Sequence, residues 1–198
     1  DLDVERLNID MLAVPGHKGL LGPLGTGALY VKEGLNLEPI LEGGTGTESK
    51  KRSQPFDFPE GFEAGTINAP AIIGLGESAA YVGKIGVEVI SKYEEELIGW
   101  LDEELNNMNF ITVYGPHCSM KTGITLINVM RKGAEEVTSE LNKTYGIAVR
   151  GGFHCAGLAH KSIGTWKEGA VRISVGPFNT KKELRTLVCA LNKIGKSI

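Results

Sequence analysis

Met11-Leu12-Ala13-Val14-Pro15-Gly16-His17-Lys18 ends an apolar run in a turn, and Ala28-Leu29-Tyr30-Val31 resumes it beyond. Five glycines and Pro23 lie from Gly16 to Gly27. The pattern predicts two short buried strands, Asp10 to Val14 and Gly27 to Val31, joined by irregular backbone. Lysine is ordinarily a solvated surface charge. One held between two strands is placed as an amine that can be desolvated and used as a nucleophile on a carbonyl.

Outward from this turn, Gly34 to Phe62 reads as a long loop, with Gly43-Gly44-Thr45-Gly46-Thr47 ahead of the charged run Glu48 to Arg52. Loops of this length are functional or disordered in most domains. Asn68 is placed to cap a helix starting near Ala69-Pro70, where proline suits the first turn. That helix carries Ile72, Leu75, Ala79 and Val82, and Gly83 and Gly86 are expected to interrupt it. A second helix follows, with Val87, Ile90, Leu97, Leu101 and Leu105 at helical spacing. Its carboxylates, Glu94, Glu95, Glu96, Asp102, Glu103 and Glu104, fall mainly on the outer face. A domain boundary is expected at its end, dividing the chain into 1–108 and 109–198.

Beyond it the pattern becomes strand, turn, strand, helix, strand, strand, helix. Phe110 to Tyr114, Gly123 to Met130, Ile147 to Arg150 and Ala170 to Val175 read as strands. Ala134 to Tyr145 is an amphipathic helix stopped by Gly146, and Thr180 to Ile194 is the last helix. This order indicates an α+β sandwich with helices on one face of a largely antiparallel sheet. Asn179 or Thr180 caps the last helix, with Glu183 where a capping box wants it. Cys189, beside the apolar Val188, Leu191 and Ile194, is expected to be packed or half-buried.

Composition excludes some functions. The chain has 198 residues and a formal net charge of -3, which gives no support to a nucleic-acid or anionic-membrane partner. No stretch approaches a membrane span, and Asp1 to Asp10 is not a signal peptide. Three cysteines argue against a disulfide framework and for free thiols in a reducing cytoplasm. Asp1 is not Met, so a preceding segment is expected.

Several motifs fail on context. Gly195-Lys196-Ser197 echoes the end of a phosphate loop, but Ala190 stands where the first glycine belongs and no helix follows. The glycines from Gly22 to Gly27 lead into a strand, whereas a dinucleotide fingerprint opens a helix. His154, Cys155 and His160, with His117 and Cys118, match no strong zinc template. What remains is Lys18 upstream, Arg150-Gly151-Gly152-Phe153-His154-Cys155 downstream, and Arg172 in Val171-Arg172-Ile173-Ser174. An amine able to form a Schiff base, a thiol on a glycine-rich loop, and arginines able to clasp a carboxylate are the parts needed to process an amino acid on pyridoxal phosphate. A neighbouring histidine or arginine can raise the thiolate fraction of such a cysteine.

With these motifs in order, the sequence resembles the class V aminotransferase-like pyridoxal phosphate enzymes, and within them the cysteine desulfurases and related selenocysteine lyases. The marks are Gly-His-Lys followed by Gly22-Pro23-Leu24-Gly25-Thr26-Gly27, the segment Phe62-Glu63-Ala64-Gly65-Thr66-Ile67-Asn68, the Arg150 to Cys155 loop, and Arg172 followed by Phe178-Asn179-Thr180. The resemblance implies an α/β fold, the C-terminal part of a fold-type I transferase: a remnant of the large-domain sheet, then a small α+β domain. It implies that Lys18 carries pyridoxal 5'-phosphate, that His17 helps hold the phosphate, and that Thr66 reaches the phosphate of the other subunit's cofactor in a homodimer. It further implies that Arg172, with Arg150 nearby, binds the substrate carboxylate and that Cys155 takes sulfur from L-cysteine as a persulfide for an acceptor protein. Pro15 and Phe153 depart from the family pattern, which often has serine and histidine there. The resemblance also implies further cofactor contacts in a preceding half, so that residues 1–198 alone are expected to bind the cofactor weakly. Transamination, selenocysteine cleavage and a non-catalytic assembly role are the alternatives at this stage.

Overall fold

The computed structural model describes residues 2–44, 46–48, 50–116 and 121–196. It divides into two compact units, Asp1–Val87 and Glu88–Ile198.

In the first unit, β1 (Met11–Pro15) and β2 (Gly27–Val31) pair antiparallel, with Val14 opposite Ala28 and Met11 opposite Val31. The two strands are present where the apolar runs predict them, but they are not buried: Met11 and Leu29 are exposed. Helix α1 (Ala69–Ile85) follows a loop-rich stretch. The Asn68 side chain accepts a hydrogen bond from the Ala71 N–H, a helix N-cap that satisfies one of the orphan donors of the first turn. Gly83 does not interrupt α1. The helix continues to Ile85 and ends at Gly86, whose φ of 94° is open only to glycine at low cost.

The second unit has a four-stranded antiparallel sheet in the order β3-β4-β6-β5. Its strands are β3 (Ile111–Tyr114), β4 (Ile124–Val129), β5 (Arg150–Gly152) and β6 (Ala170–Ser174). Its helices are α2 (Val87–Asn106), α3 (Ala134–Tyr145), α4 (Gly157–Ser162) and α5 (Lys181–Lys196). Alternation along β4 buries Thr125, Ile127 and Val129 and leaves Leu126 and Asn128 on the opposite face. Ile127 and Val129 join Val171 and Ile173 of β6 in one core with Ile98 and Leu101 of α2, Val137 and Leu141 of α3, and Leu187 and Leu191 of α5. Each fully buried aliphatic side chain contributes about 1.5–3 kcal/mol.

Several boundaries differ from the sequence reading, each for a physical reason. Helix α2 packs with the second compact unit, because its stripe Leu97, Ile98, Leu101 and Leu105 is buried in that core; the boundary between the units lies at Val87–Glu88. Asp102 is not on the outer face. It shares the stripe and is buried, accepting from Lys121 at 2.6 Å and from the Thr125 hydroxyl at 2.7 Å. Cys189 is exposed. One helical step of about 100° turns it from Val188 onto the side of Arg185, Thr186 and Lys193. The Thr180–Glu183 capping box is formed in both directions, Thr180 N–H to Glu183 at 2.7 Å and Glu183 N–H to Thr180 at 3.3 Å. Gly195 serves packing: a Cβ there would run into the Phe110 ring.

Candidate active site

In the first unit, the turn bearing Lys18 is closed by the backbone. Gly16 N–H donates to the Thr26 carbonyl at 2.8 Å, Gly22 N–H to the Gly16 carbonyl at 2.8 Å, and Leu21 N–H to the Lys18 carbonyl at 2.9 Å. A Cβ on Gly22 would stand 2.7 Å from Leu75 of α1, so the lack of a side chain lets the turn seat on that helix. His17 and Lys18 project from it exposed. Among the described residues no ion pair engages the Lys18 amine.

Thr66 lies in the segment leading into the same helix, also exposed. Its neighbour Gly65 donates to the Gly44 carbonyl at 2.8 Å, and the buried Gln54 binds both Gly43 N–H and the Glu60 carbonyl, at 3.2 and 3.1 Å. The long loop is therefore tied to the Thr66 segment. Thr45 and Ser49 of that loop lie outside the described residues.

In the second unit, the sheet face turned away from α2, α3 and α5 carries a row across all four strands. Tyr114 stands opposite Leu126, Leu126 opposite Arg172, and Arg172 opposite Arg150. Like charges directly opposed across a ladder repel, and among the described residues neither arginine enters an ion pair. The Nε of Arg172 is buried and has no hydrogen-bond partner, as is Oδ1 of Asn128. A buried donor left unmade costs about 1–3 kcal/mol, so the Arg172 Nε is open to an acceptor.

Strand β5 can lie close to α3 because of Gly151, where a Cβ would stand 2.8 Å from Thr138 Oγ1 and 2.9 Å from the Ala134 carbonyl. Gly152 then turns at φ 100°, and His154 and Cys155 both take left-handed conformations, at φ 54° and 58°. For residues with a Cβ that costs roughly 1–3 kcal/mol each and persists only where the surroundings enforce it. The result brings the exposed Cys155 sulfur to 3.5 Å from Arg150 Nη2.

Behind the thiol lie residues that sequence reasoning did not assign. His154 Nε2 is 2.8 Å from the Arg150 carbonyl, His154 Nδ1 is 3.2 Å from His160 Nε2, and His160 Nδ1 is 2.7 Å from Thr165 Oγ1. His160 and Thr165 are buried. Burial, helped by the positive charges of Arg172 and Arg150 and by His160, outweighs the carbonyl hydrogen bond and holds His154 below the ordinary value of 6.5. Helix α4 was not foreseen. It is short and glycine-led, and the only sequence signal was a pair of histidines that also suited a metal reading. No group of three or more potential ligands that could hold a metal is found among the described residues. His117 and Cys118 lie outside them.

The structure thus gathers Arg150, Cys155 and Arg172 on one sheet face and its adjoining loop, and sets His17, Lys18 and Thr66 on segments anchored to one helix of the other unit. A free primary amine on an exposed turn, with an imidazole beside it, fits a carbonyl-bearing cofactor.

Comparison with known proteins agrees with this. The Aminotransferase class-V family model matches residues 1–187. A probable cysteine desulfurase of Methanothermobacter thermautotrophicus is 36% identical over 200 residues, covering 98% of this chain and 50% of that protein. A cysteine desulfurase of Salmonella newport is 37% identical over 198 residues, covering 98% and 47%. The apo cysteine desulfurase of Thermococcus onnurineus NA1 matches with a TM-score of 0.82 at 31% identity, over 98% of this chain and 49% of that one. The cysteine desulfurase CsdA of Escherichia coli matches with a TM-score of 0.85 at 26% identity, over 99% and 48%. The chain spans about half the length of these relatives.

Proposed function

The chain belongs to the aminotransferase class V family, and from that premise we propose that it forms part of a pyridoxal-phosphate-dependent cysteine desulfurase, releasing alanine from L-cysteine and retaining the sulfur as a persulfide. The observation that carries this reading is the Cys155 sulfur 3.5 Å from an Arg150 guanidinium that faces Arg172 across the ladder. A thiol beside arginines able to clasp a carboxylate is what sulfur transfer from an amino acid requires.

Lys18 would hold the cofactor through Nζ, with His17 and Thr66 at its phosphate. When bound, the cofactor ring supplies a store for the electron pair at the substrate α-carbon. The chain's own residues do the rest. Arg172 binds the α-carboxylate, offering its unpartnered Nε and a planar fork. Lys18 Nζ carries the proton to and from the α-carbon. Cys155 Sγ forms a bond to the substrate sulfur as the bond from that sulfur to Cβ breaks. The electron pair passes to carbon, which takes a proton to give alanine, so the two sulfurs are oxidised as the carbon is reduced and no outside oxidant enters.

The same reading includes a homodimer in which Thr66 reaches the neighbouring subunit's cofactor, a protein that accepts the persulfide sulfur, and a cytoplasmic setting. The exposure of Thr66 and Cys155 supports the first two, and the free thiols of Cys155 and Cys189 support the third.

The protein as its gene encodes it, given pyridoxal phosphate, L-cysteine and a thiol reductant, is expected to yield alanine and sulfide in equal amounts without a keto acid. Lys18→Ala is expected to abolish both. Product that appears only with a keto acid would make the enzyme a transaminase instead.

A further inference from the structure

The hydrogen bonds behind Cys155 have a direction, and the chemistry above does not use them. The Arg150 carbonyl can only accept, so His154 Nε2 carries the proton in that 2.8 Å bond. In neutral His154, Nδ1 must then accept, so His160 Nε2 donates across the 3.2 Å gap. In neutral His160, Nδ1 in turn accepts from the Thr165 hydroxyl at 2.7 Å. The neutral state is favoured for His154, which is partly buried and faces the charges of Arg150 of β5 and Arg172 of β6 as well as His160 of α4, with no carboxylate beside it. All four ring nitrogens are engaged. None is left to bind a metal.

The relay is itself anchored. Thr165 N–H donates to the His160 carbonyl at 2.9 Å, and the Thr165 carbonyl accepts from Gly169 N–H at 2.9 Å. Phe153 packs its ring edgewise on His160, centroids 5.4 Å apart. At the other end, the His154 ring closes the loop from Arg150 back onto its own carbonyl, across the two left-handed residues His154 and Cys155.

We infer that His160 and Thr165 are positioning residues for Cys155: by fixing His154 as the Nε2–H tautomer on the Arg150 carbonyl, they hold the strained loop that sets the thiol against the Arg150 guanidinium. The inference rests on Cys155 as the reacting thiol, but its test needs neither cofactor nor turnover.

The readout is alkylation of Cys155 in the full chain, followed by peptide mass spectrometry with iodoacetate and with iodoacetamide. The ratio of the two rates cancels thiolate fraction and simple exposure, and reports positive charge at the sulfur. His160→Ala is expected to lower the ratio by about threefold, the effect of one nearby unit charge in a water-exposed setting. His160→Gln, which keeps a donor toward His154, is expected to restore it, and Thr165→Val to give an intermediate value. An unchanged ratio in His160→Ala, or a Gln variant no better than Ala, overturns the inference. Should His160→Ala not fold, imidazole nitrogen shifts of the wild type decide: both rings as Nε2–H supports the relay, and Nδ1–H in either overturns it. A chain with this signature but no release of alanine would contradict the proposed function alone.

Discussion

Arg150 and Arg172 stand directly opposite one another across the β5–β6 ladder, and among the described residues no carboxylate neutralises either. Two guanidinium groups in that relation repel, and Arg172 also keeps a buried Nε without a partner. The pair is a cost to the fold that a bound anion would offset.

Replacing Arg172 by Gln is therefore expected to separate stability from function. Loss of a charged hydrogen bond to a carboxylate should lower kcat/KM for L-cysteine roughly ten- to hundredfold, chiefly through KM. The denaturation midpoint should stay level or rise slightly, because the repulsion is relieved. Steady-state kinetics and urea unfolding check the two halves.

Gly151→Ala is expected to act from a distance. The added Cβ meets the Ala134 carbonyl, which is backbone and cannot rotate away. Overpacking of this kind costs about 1–3 kcal/mol, and it should push β5, with Arg150, away from α3. Chemical denaturation reads the first effect, and the alkylation ratio at Cys155 the second.

The Asp102–Lys121–Thr125 cluster holds a buried ion pair, its side chains 8% and 5% exposed. Asp102→Ala would leave a buried ammonium unpaired and should cost about 3–5 kcal/mol, whereas Asp102→Leu together with Lys121→Met should be close to neutral. Urea unfolding of both variants measures the difference.

His154 gives the second unit a pH dependence. Its folded value lies below the ordinary 6.5, so as pH falls through that ordinary value the unfolded chain takes up a proton that the folded loop resists. Stability should therefore decline as pH drops from about 6.5 through the lowered folded value. Unfolding midpoints followed across that window should fall more steeply for the wild type than for His154→Gln.

Much of this architecture was legible in the sequence because it rests on local signals. The Asn68 cap, the Gly146 stop and the Thr180–Glu183 box each depend on residues close in the chain. What escaped depends on contacts between distant ones. The polar Asp102 belongs to the same helical stripe as Ile98, Leu101 and Leu105, but only its partners at Lys121 and Thr125 reveal why it is buried. Strand β5 begins at Arg150 and not at Ile147, because its pairing partner in β6 decides where the ladder runs. At the candidate site, the motifs singled out Lys18, Cys155 and Arg172 as candidates, while the hydrogen bonds through His160 and Thr165 required the turn made by α4, a helix too short to announce itself by periodicity.

The most direct measurement is the position of the transferred sulfur. The cofactor-loaded protein, mixed with L-cysteine without reductant and analysed by peptide mass spectrometry, should carry one extra sulfur atom on Cys155, in step with alanine formed, and Cys155→Ala should form neither at an appreciable rate. Sulfur found on Cys118 or Cys189 instead, or alanine released by Cys155→Ala at the wild-type rate, would contradict the assignment of Cys155 as the sulfur-accepting thiol.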